Sequence, residues 1–112
     1  AVVDVLNSGW LTTGPKVKEF EENMRNYLDC KKAIGLTSCT GGLHITLAAL
    51  GIGPGDEVIL PTYTFAACGH VVVWLGAKPI FVDVEKDTFN IDPRKIEEVV
   101  TKKTKVNLSY IG

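Results

Sequence analysis

The 112-residue chain lacks the patterns that mark metal centres and disulfide frameworks. Its cysteines, Cys30, Cys39 and Cys68, are odd in number and widely separated, with no CxxC pair and no histidine cluster beside them. A zinc site needs closer ligand spacing than this, and a disulfide framework needs an even and denser set of cysteines. Free thiols fit a reducing cytoplasm, which is the expected compartment. An excess of charge of either sign is missing too: 12 Lys and Arg against 13 Asp and Glu give a net charge of −1. That leaves no basic face for a nucleic acid and no polybasic patch for a membrane surface. No apolar run approaches the length of a membrane span. The opening AVVDVLNSGW has neither the basic start nor the long apolar core of a secretion signal. Two phosphate-binding signatures are absent as well, the Gly-Lys-Ser/Thr of a P-loop and the GxGxxG dinucleotide turn.

What is present is ordinary globular composition, 46% hydrophobic and 22% charged, in a chain of one domain at most. The organising stretch begins at Ala33-Ile34-Gly35-Leu36-Thr37, a short apolar run that predicts a strand. Ser38-Cys39-Thr40-Gly41-Gly42 breaks it with hydroxyls and glycines suited to a helix N-cap and close backbone approach. Leu43, Leu47 and Leu50 then fall at helical spacing, and Gly51 supplies the stop. A strand that ends in such a turn and opens a helix is an anion site, because the first N–H groups of the helix lack internal partners. The competing reading is a turn that only caps a helix. A second polar turn, Pro61-Thr62-Tyr63-Thr64-Phe65, follows the next strand. Open α/β sheets bind ligands at the carboxyl ends of their strands, so both turns are expected to face one crevice.

The remaining elements follow in order. Residues 1–14 read as a short apolar stretch passing into a loop, and Pro15 opens a helix capped by Gly14 or Thr13. Val17, Phe20, Met24, Tyr27 and Leu28 form its apolar face. Gly53-Pro54-Gly55-Asp56 predicts a type II turn before a strand over Glu57–Leu60. Thr64 is expected to cap a helix whose Ala67, Val71, Val72 and Leu75 face the sheet, with Gly76 at its end. Residues 78–84, KPIFVDV, predict a buried strand; Asp92-Pro93 starts a helix with Ile96, Val99 and Val100 inward; residues 105–111 predict a last strand. This alternation predicts an α/β fold with a mainly parallel sheet and flanking helices. Cys39 is expected to be a small buried hydrophobe, His44 and His70 structural, and Asp83 a structural hydrogen-bonder.

SGWLTTG (residues 8–14), TSCTGGLHITLAALGIGPGDEVILPTYTF (37–65), GAKPIFVDVEKDTFNIDP (76–93) and TKKTK (101–105) occur in order. Together they resemble the DegT/DnrJ/StrS sugar aminotransferases, pyridoxal-phosphate (PLP) enzymes of the aspartate-aminotransferase fold, fold type I. The resemblance implies an α/β/α fold in which residues 1–112 are the N-terminal portion of the large, PLP-binding domain of a longer chain. It implies that Ser38, Thr40 and Gly41 hold the cofactor phosphate and that Phe65 stacks on the pyridine ring. Thr12 and Thr13, near the family's active site and subunit interface, are the candidates for touching substrate. The alternative for them is a loop leading into a helix.

The implied reaction moves an amino group from glutamate to a nucleotide-linked keto-sugar, within a homodimer, in polysaccharide, lipopolysaccharide, spore-coat or antibiotic-sugar biosynthesis. Two groups the chemistry needs are missing: no lysine matches the position that carries the cofactor covalently, and no Asp matches the pyridine-nitrogen partner. The catalytic residues are therefore expected outside this chain, which alone should not transaminate. After Lys105 the sequence is shorter and more polar than the family's usual strand, leaving Tyr110 unassigned. Two other readings stay open: a PLP-dependent sugar dehydratase of the same family, or a catalytically silent remnant that binds phosphate or pairs subunits.

Overall fold

The computed structural model describes residues 1–109, which divide into two compact units, Ala1–Thr37 and the residues from Ser38 on. In the first unit, α1 (Val2–Ser8) ends on Gly9, whose φ of 73° is left-handed. This helix falls where the sequence suggested an apolar stretch and loop; Asp4 in its first turn and the Ser8 hydroxyl, which donates to the Val5 carbonyl, support it locally. Helix α2 (Pro15–Tyr27) starts as expected, with Gly14 as N-cap and Pro15 in the first turn. Its apolar face is only partly used. Val17 and Met24 are half-buried, whereas Phe20, Tyr27 and Leu28 stay exposed.

The predicted strand over Ala33–Thr37 does not form. A strand exists only as part of a ladder, and among the described residues none of these pairs with another strand. The Gly35 N–H instead donates to the Glu21 carboxylate on α2 at 2.8 Å, and Ile34 is 73% exposed.

The second unit is built on β1 (Glu57–Pro61), the centre of a parallel three-stranded sheet with order β2–β1–β3. Strand β2 (Lys78–Val82) pairs in straight register, Glu57 opposite Lys78 through Pro61 opposite Val82. Strand β3 (Thr104–Asn107) pairs on the other side with a register shift between Glu57 and Val58. Successive side chains of β1 point to opposite faces. Val58 and Leu60 join Leu47, Val71 and Val72 in one core, under α3 (Cys39–Ala49) and α4 (Ala66–Trp74). Ile59 joins Val82 and Ile91 in a second core, against which Ile96 and Val99 of α5 (Pro93–Val99) pack. The unit is thus a three-layer α/β/α sandwich, and β1 reads as a continuous apolar run because both its faces are covered.

Three details differ from the sequence reading. Strand β2 is shorter than KPIFVDV and buried only at Val82; among the described residues it is at the edge of the sheet, and Phe81 is exposed. Val100 is exposed, because α5 ends at Val99 and the chain turns extended at Val100. The last strand ends at Asn107, and the predicted remainder to Ile111 runs beyond the described residues. No helix among the described residues is long and apolar enough to cross a membrane.

Helices α3 and α4 stop by the same device. Gly51, at φ 75°, donates its N–H to the Ala48 carbonyl, and Ile52 N–H reaches back to Leu47. Gly76, at φ 76°, bonds Val73, and Ala77 bonds Val72. These are Schellman motifs, each sealed by an apolar contact between the residue after the glycine and the last turn. The predicted type II turn follows the first of them: Gly55 has φ 94°, and Asp56 N–H donates to the Gly53 carbonyl.

The two glycines separate two costs. A Cβ at Gly51 would meet nothing within 4 Å, whereas one at Gly76 would lie 3.0 Å from Cγ of Pro54. Gly51→Ala should cost about 1–2 kcal/mol, the left-handed penalty alone. Gly76→Ala should cost more, by the repulsion from Pro54. Equal losses in denaturant unfolding would show that Pro54 yields without cost.

Asp92 gives a pH prediction. Its carboxylate, 4% exposed, caps α5 by accepting from Arg94 N–H at 3.0 Å and is gripped by the Arg94 guanidinium through two further 3.0 Å bonds. The guanidinium hydrogen bond, chiefly, holds this carboxyl below its ordinary value. Its stabilisation is therefore complete above the unfolded value near pH 4 and is lost as pH falls through the lower folded value. Asp92→Asn keeps a capping oxygen but loses the charge. It should be less stable at neutral pH and lose less stability between about pH 5 and pH 2 in the same unfolding measurement.

Candidate functional site

The start of α3 is shaped by Ser38. Its extended backbone (φ −160°, ψ 153°) lets the side chain turn back and accept from Gly41 N–H at 3.1 Å, while the Ser38 carbonyl accepts from Gly42 N–H, also at 3.1 Å. A Cβ at Gly41 would stand 3.2 Å from Oγ of Ser38, so glycine keeps this cap close. Among the described residues, no acceptor takes the N–H of Cys39 or Thr40. The first turn of α3 carries no acidic residue. Two free donors and the positive end of the helix dipole are what an anion needs. Thr40 is half-buried beside them, and Cys39, expected to be buried, is exposed, since position 39 opens the helix rather than facing the sheet.

The second turn leaves β1 at Pro61. Thr62 N–H donates to the Val82 carbonyl at 2.8 Å, tying the turn to the end of β2. The residue that caps α4 is Phe65, not Thr64, and it makes no side-chain cap bond. The Thr64 hydroxyl points instead to Sγ of Cys68, 3.3 Å away, one turn along the helix. Phe65 is 77% exposed, so its ring is not a core aromatic in the described residues.

Helices α3 and α4 run side by side in the same direction. Just beyond α3, a side chain at Gly53 would come within 3.9 Å of the Leu75 carbonyl at the end of α4, and Pro54 lies over Gly76. The ring of Trp74, the last residue of α4, lies 5.7 Å from that of His44 on α3 and 6.1 Å from that of His70, one turn earlier on its own helix. Both histidines thus pack against an aromatic neighbour, and no metal-ligand cluster exists among the described residues. With C-termini together, the N-termini open at the same end. Ser38, Thr40, Gly41 and Phe65 therefore share the carboxyl edge of the sheet.

Thr12 and Thr13 belong to the other unit. Both are exposed, and Thr12, but not Thr13, lines an open cleft of about 300 Å3 with Asp4, Ser8, Trp10 and Lys16. Asp83, read as a structural hydrogen-bonder, is one: its carboxylate accepts from Lys95 Nζ at 2.8 Å and from Val84 N–H at 2.9 Å, and its carbonyl from Asp92 N–H. The Lys95 hydrogen bond, foremost, holds that carboxyl below its ordinary value. Sequence reasoning missed the pairing of Tyr63 with Phe89, whose rings lie 5.4 Å apart at the same edge. Their only signal was an aromatic residue in each of two turns.

The chain is similar in sequence and in fold to known proteins. The chain is 54% identical over 113 residues to an uncharacterised protein of Methanocaldococcus jannaschii, covering 99% of the chain and 29% of that protein. It is 48% identical to a UDP-4-amino-4-deoxy-L-arabinose–oxoglutarate aminotransferase of Shewanella sediminis, covering all of the chain and 29% of the relative. Among solved structures, Spr1654 of Streptococcus pneumoniae, described as a sugar aminotransferase, superposes in its PMP form with a TM-score of 0.93 at 45% identity. That match covers 96% of the chain and 27% of Spr1654, and the PLP form of the same protein matches with a TM-score of 0.91. The chain therefore spans under a third of the length of these relatives. A family model matches residues 1–109, nearly all of the chain. With that match, and relatives this similar over the whole of it, the chain belongs to the DegT/DnrJ/EryC1/StrS aminotransferase family.

Proposed function

We propose that this chain is the N-terminal portion of the large domain of a PLP-dependent sugar aminotransferase and supplies the cradle for the cofactor phosphate. The observation that carries this reading is the start of α3, where the N–H groups of Cys39 and Thr40 have no acceptor among the described residues and no acid competes for them. A phosphate monoester fits that donor set. The Thr40 hydroxyl adds a third donor beside its own N–H. Gly41 N–H is held by Oγ of Ser38; rotation of the exposed Ser38 hydroxyl toward the phosphate would release that N–H to the same anion.

Bound PLP supplies an electron sink for carbanion chemistry. The chain's own part is to hold and orient. Phe65, at the same edge and exposed, offers a flat apolar face that fixes the plane of the pyridine ring and excludes water from it. The lysine and acid that complete the chemistry lie outside this chain. The substrate is a nucleotide-linked keto-sugar and the amino donor glutamate, a reading supported by the name of the Shewanella relative and by the sugar-aminotransferase description of Spr1654. Within the first unit, Thr12, which lines the cleft, and Thr13, beside it in sequence, are the residues proposed to contact substrate. The whole protein acts as a homodimer in the cytoplasm, in the assembly of amino sugars for polysaccharide or antibiotic products.

One observation favours a second reading, a subunit-pairing piece without catalysis. Helices α3 and α4 leave Ile45, Leu50, Val73 and Trp74 exposed, an apolar face that needs a cover. Transamination by the whole protein rejects that reading, and its absence despite bound PLP favours it.

The cofactor assignment is tested by titration. Thr40→Ala in the whole protein should weaken PLP binding about tenfold or more, the loss expected of a hydrogen bond to a charged group. Unchanged affinity removes the phosphate role from this turn. Phe65→Ala should shift the absorbance of the bound cofactor and slow turnover. An unaltered spectrum and rate would leave Phe65 without a part in the site.

A further inference from the structure

Phe89 holds a ring on a backbone that rarely carries one. Its φ of 55° lies in the left-handed region, where a bulky side chain is a genuine outlier. Such a conformation persists only where the surroundings over-determine it. Here they do. An antiparallel bridge joins Val84 to Ile91, Glu85 N–H donates to the Asn90 carbonyl at 2.9 Å, and Phe89 N–H donates to the Glu85 carbonyl at 3.0 Å. The Thr88 hydroxyl donates to the Glu85 carboxylate at 2.9 Å.

The hairpin lays Phe89 against Tyr63, in the middle of the turn that leads from β1 to Phe65. The ring centroids are 5.4 Å apart with planes inclined by 43°, a favourable aromatic geometry. Both rings remain more than half exposed, so their contact is not a by-product of core burial. The turn has few other ties. Its backbone is fixed to β2 at Thr62, and no side-chain hydrogen bond among the described residues joins Tyr63, Thr64 or Phe65 to any element except α4.

We propose that Phe89 is a positioning residue: through Tyr63 it sets the conformation of the turn Pro61–Phe65 and so the placement of the Phe65 ring. The proposal rests on the PLP reading of Phe65. In this role Phe89 acts through the Tyr63 ring and not by its own contact with cofactor or substrate. Its left-handed backbone has a use in this role, since it directs the ring back over Tyr63 while the hairpin continues to Ile91 and α5.

The test uses the whole protein loaded with PLP. Phe89→Gly removes the ring at a position where glycine adopts the observed φ without strain, so thermal stability should be retained. The visible circular dichroism of the bound cofactor should nevertheless change in the same sense as in Phe65→Ala. Turnover should fall on the order of tenfold with KM for the amino donor little altered, as for a misplaced orienting group. Phe89→Tyr should restore both signals, and Tyr63→Leu, removing the partner ring, should reproduce the Phe89→Gly change. A wild-type dichroism signal and kcat in Phe89→Gly or Tyr63→Leu, with Phe65→Ala altered, overturns the positioning role and leaves the PLP reading intact. An unchanged signal in Phe65→Ala overturns both.

Discussion

Burial of β1 on both faces is the constraint from which the second unit follows. Val58 and Leu60 look one way and Ile59 the other, and all three are fully buried. A strand placed so must have strands on both edges and helices on both sides. The parallel partners β2 and β3 require crossovers, and α4 and α5 are those crossovers. Once β1 is fixed, its carboxyl end is fixed, and so is the point at which Pro61–Phe65 leaves the sheet. The candidate site sits where it does because the core needs β1 in the middle.

The helix C-termini transmit that constraint to the N-termini. Gly51 and Gly76 stop α3 and α4 with the same left-handed residue, and Ile52 and Ala77 dive into the same core. Because both helices end beside each other and run the same way, both begin toward the carboxyl edge of the sheet. The unpaired N–H groups at Cys39 and Thr40 and the exposed ring of Phe65 are thus brought to one edge by features at the far end of their helices. Under the proposed reading, phosphate and pyridine ring, two parts of one cofactor, are met by residues more than twenty positions apart in sequence.

Much of this was legible from local chemistry. Ser38 before two glycines announced a capped helix start, Gly-Pro-Gly-Asp a type II turn, Asp92-Pro93 a helix N-terminus, and each formed as the residue types require. The parallel sheet followed from the alternation of elements. What was not legible depends on partners distant in sequence. Thr64 looked like a cap, but the chain enters α4 one residue later and its hydroxyl turns to Cys68. Cys39 looked like a small core residue, but its place at the first helical position leaves it exposed. Val100 continued an apolar pattern that α5 does not continue.

The run Ala33–Thr37 shows most clearly where sequence reading ends. Its composition suits a strand, yet propensity in a strand measures the fit to a pleated neighbour, and no neighbour pairs with it among the described residues. Gly35 N–H, which a ladder would have used, goes to the Glu21 carboxylate. The same argument explains why Phe89 escaped notice. An aromatic residue in a polar turn has no local reason to take a left-handed backbone; the reason is Tyr63, 26 residues earlier on another element. Helix caps and tight turns are satisfied within a few residues and can be read from them. Ladders and ring pairs are satisfied across the fold, so a strong local preference is realised only when the partner is in place, and an improbable local conformation is realised when the partner holds it.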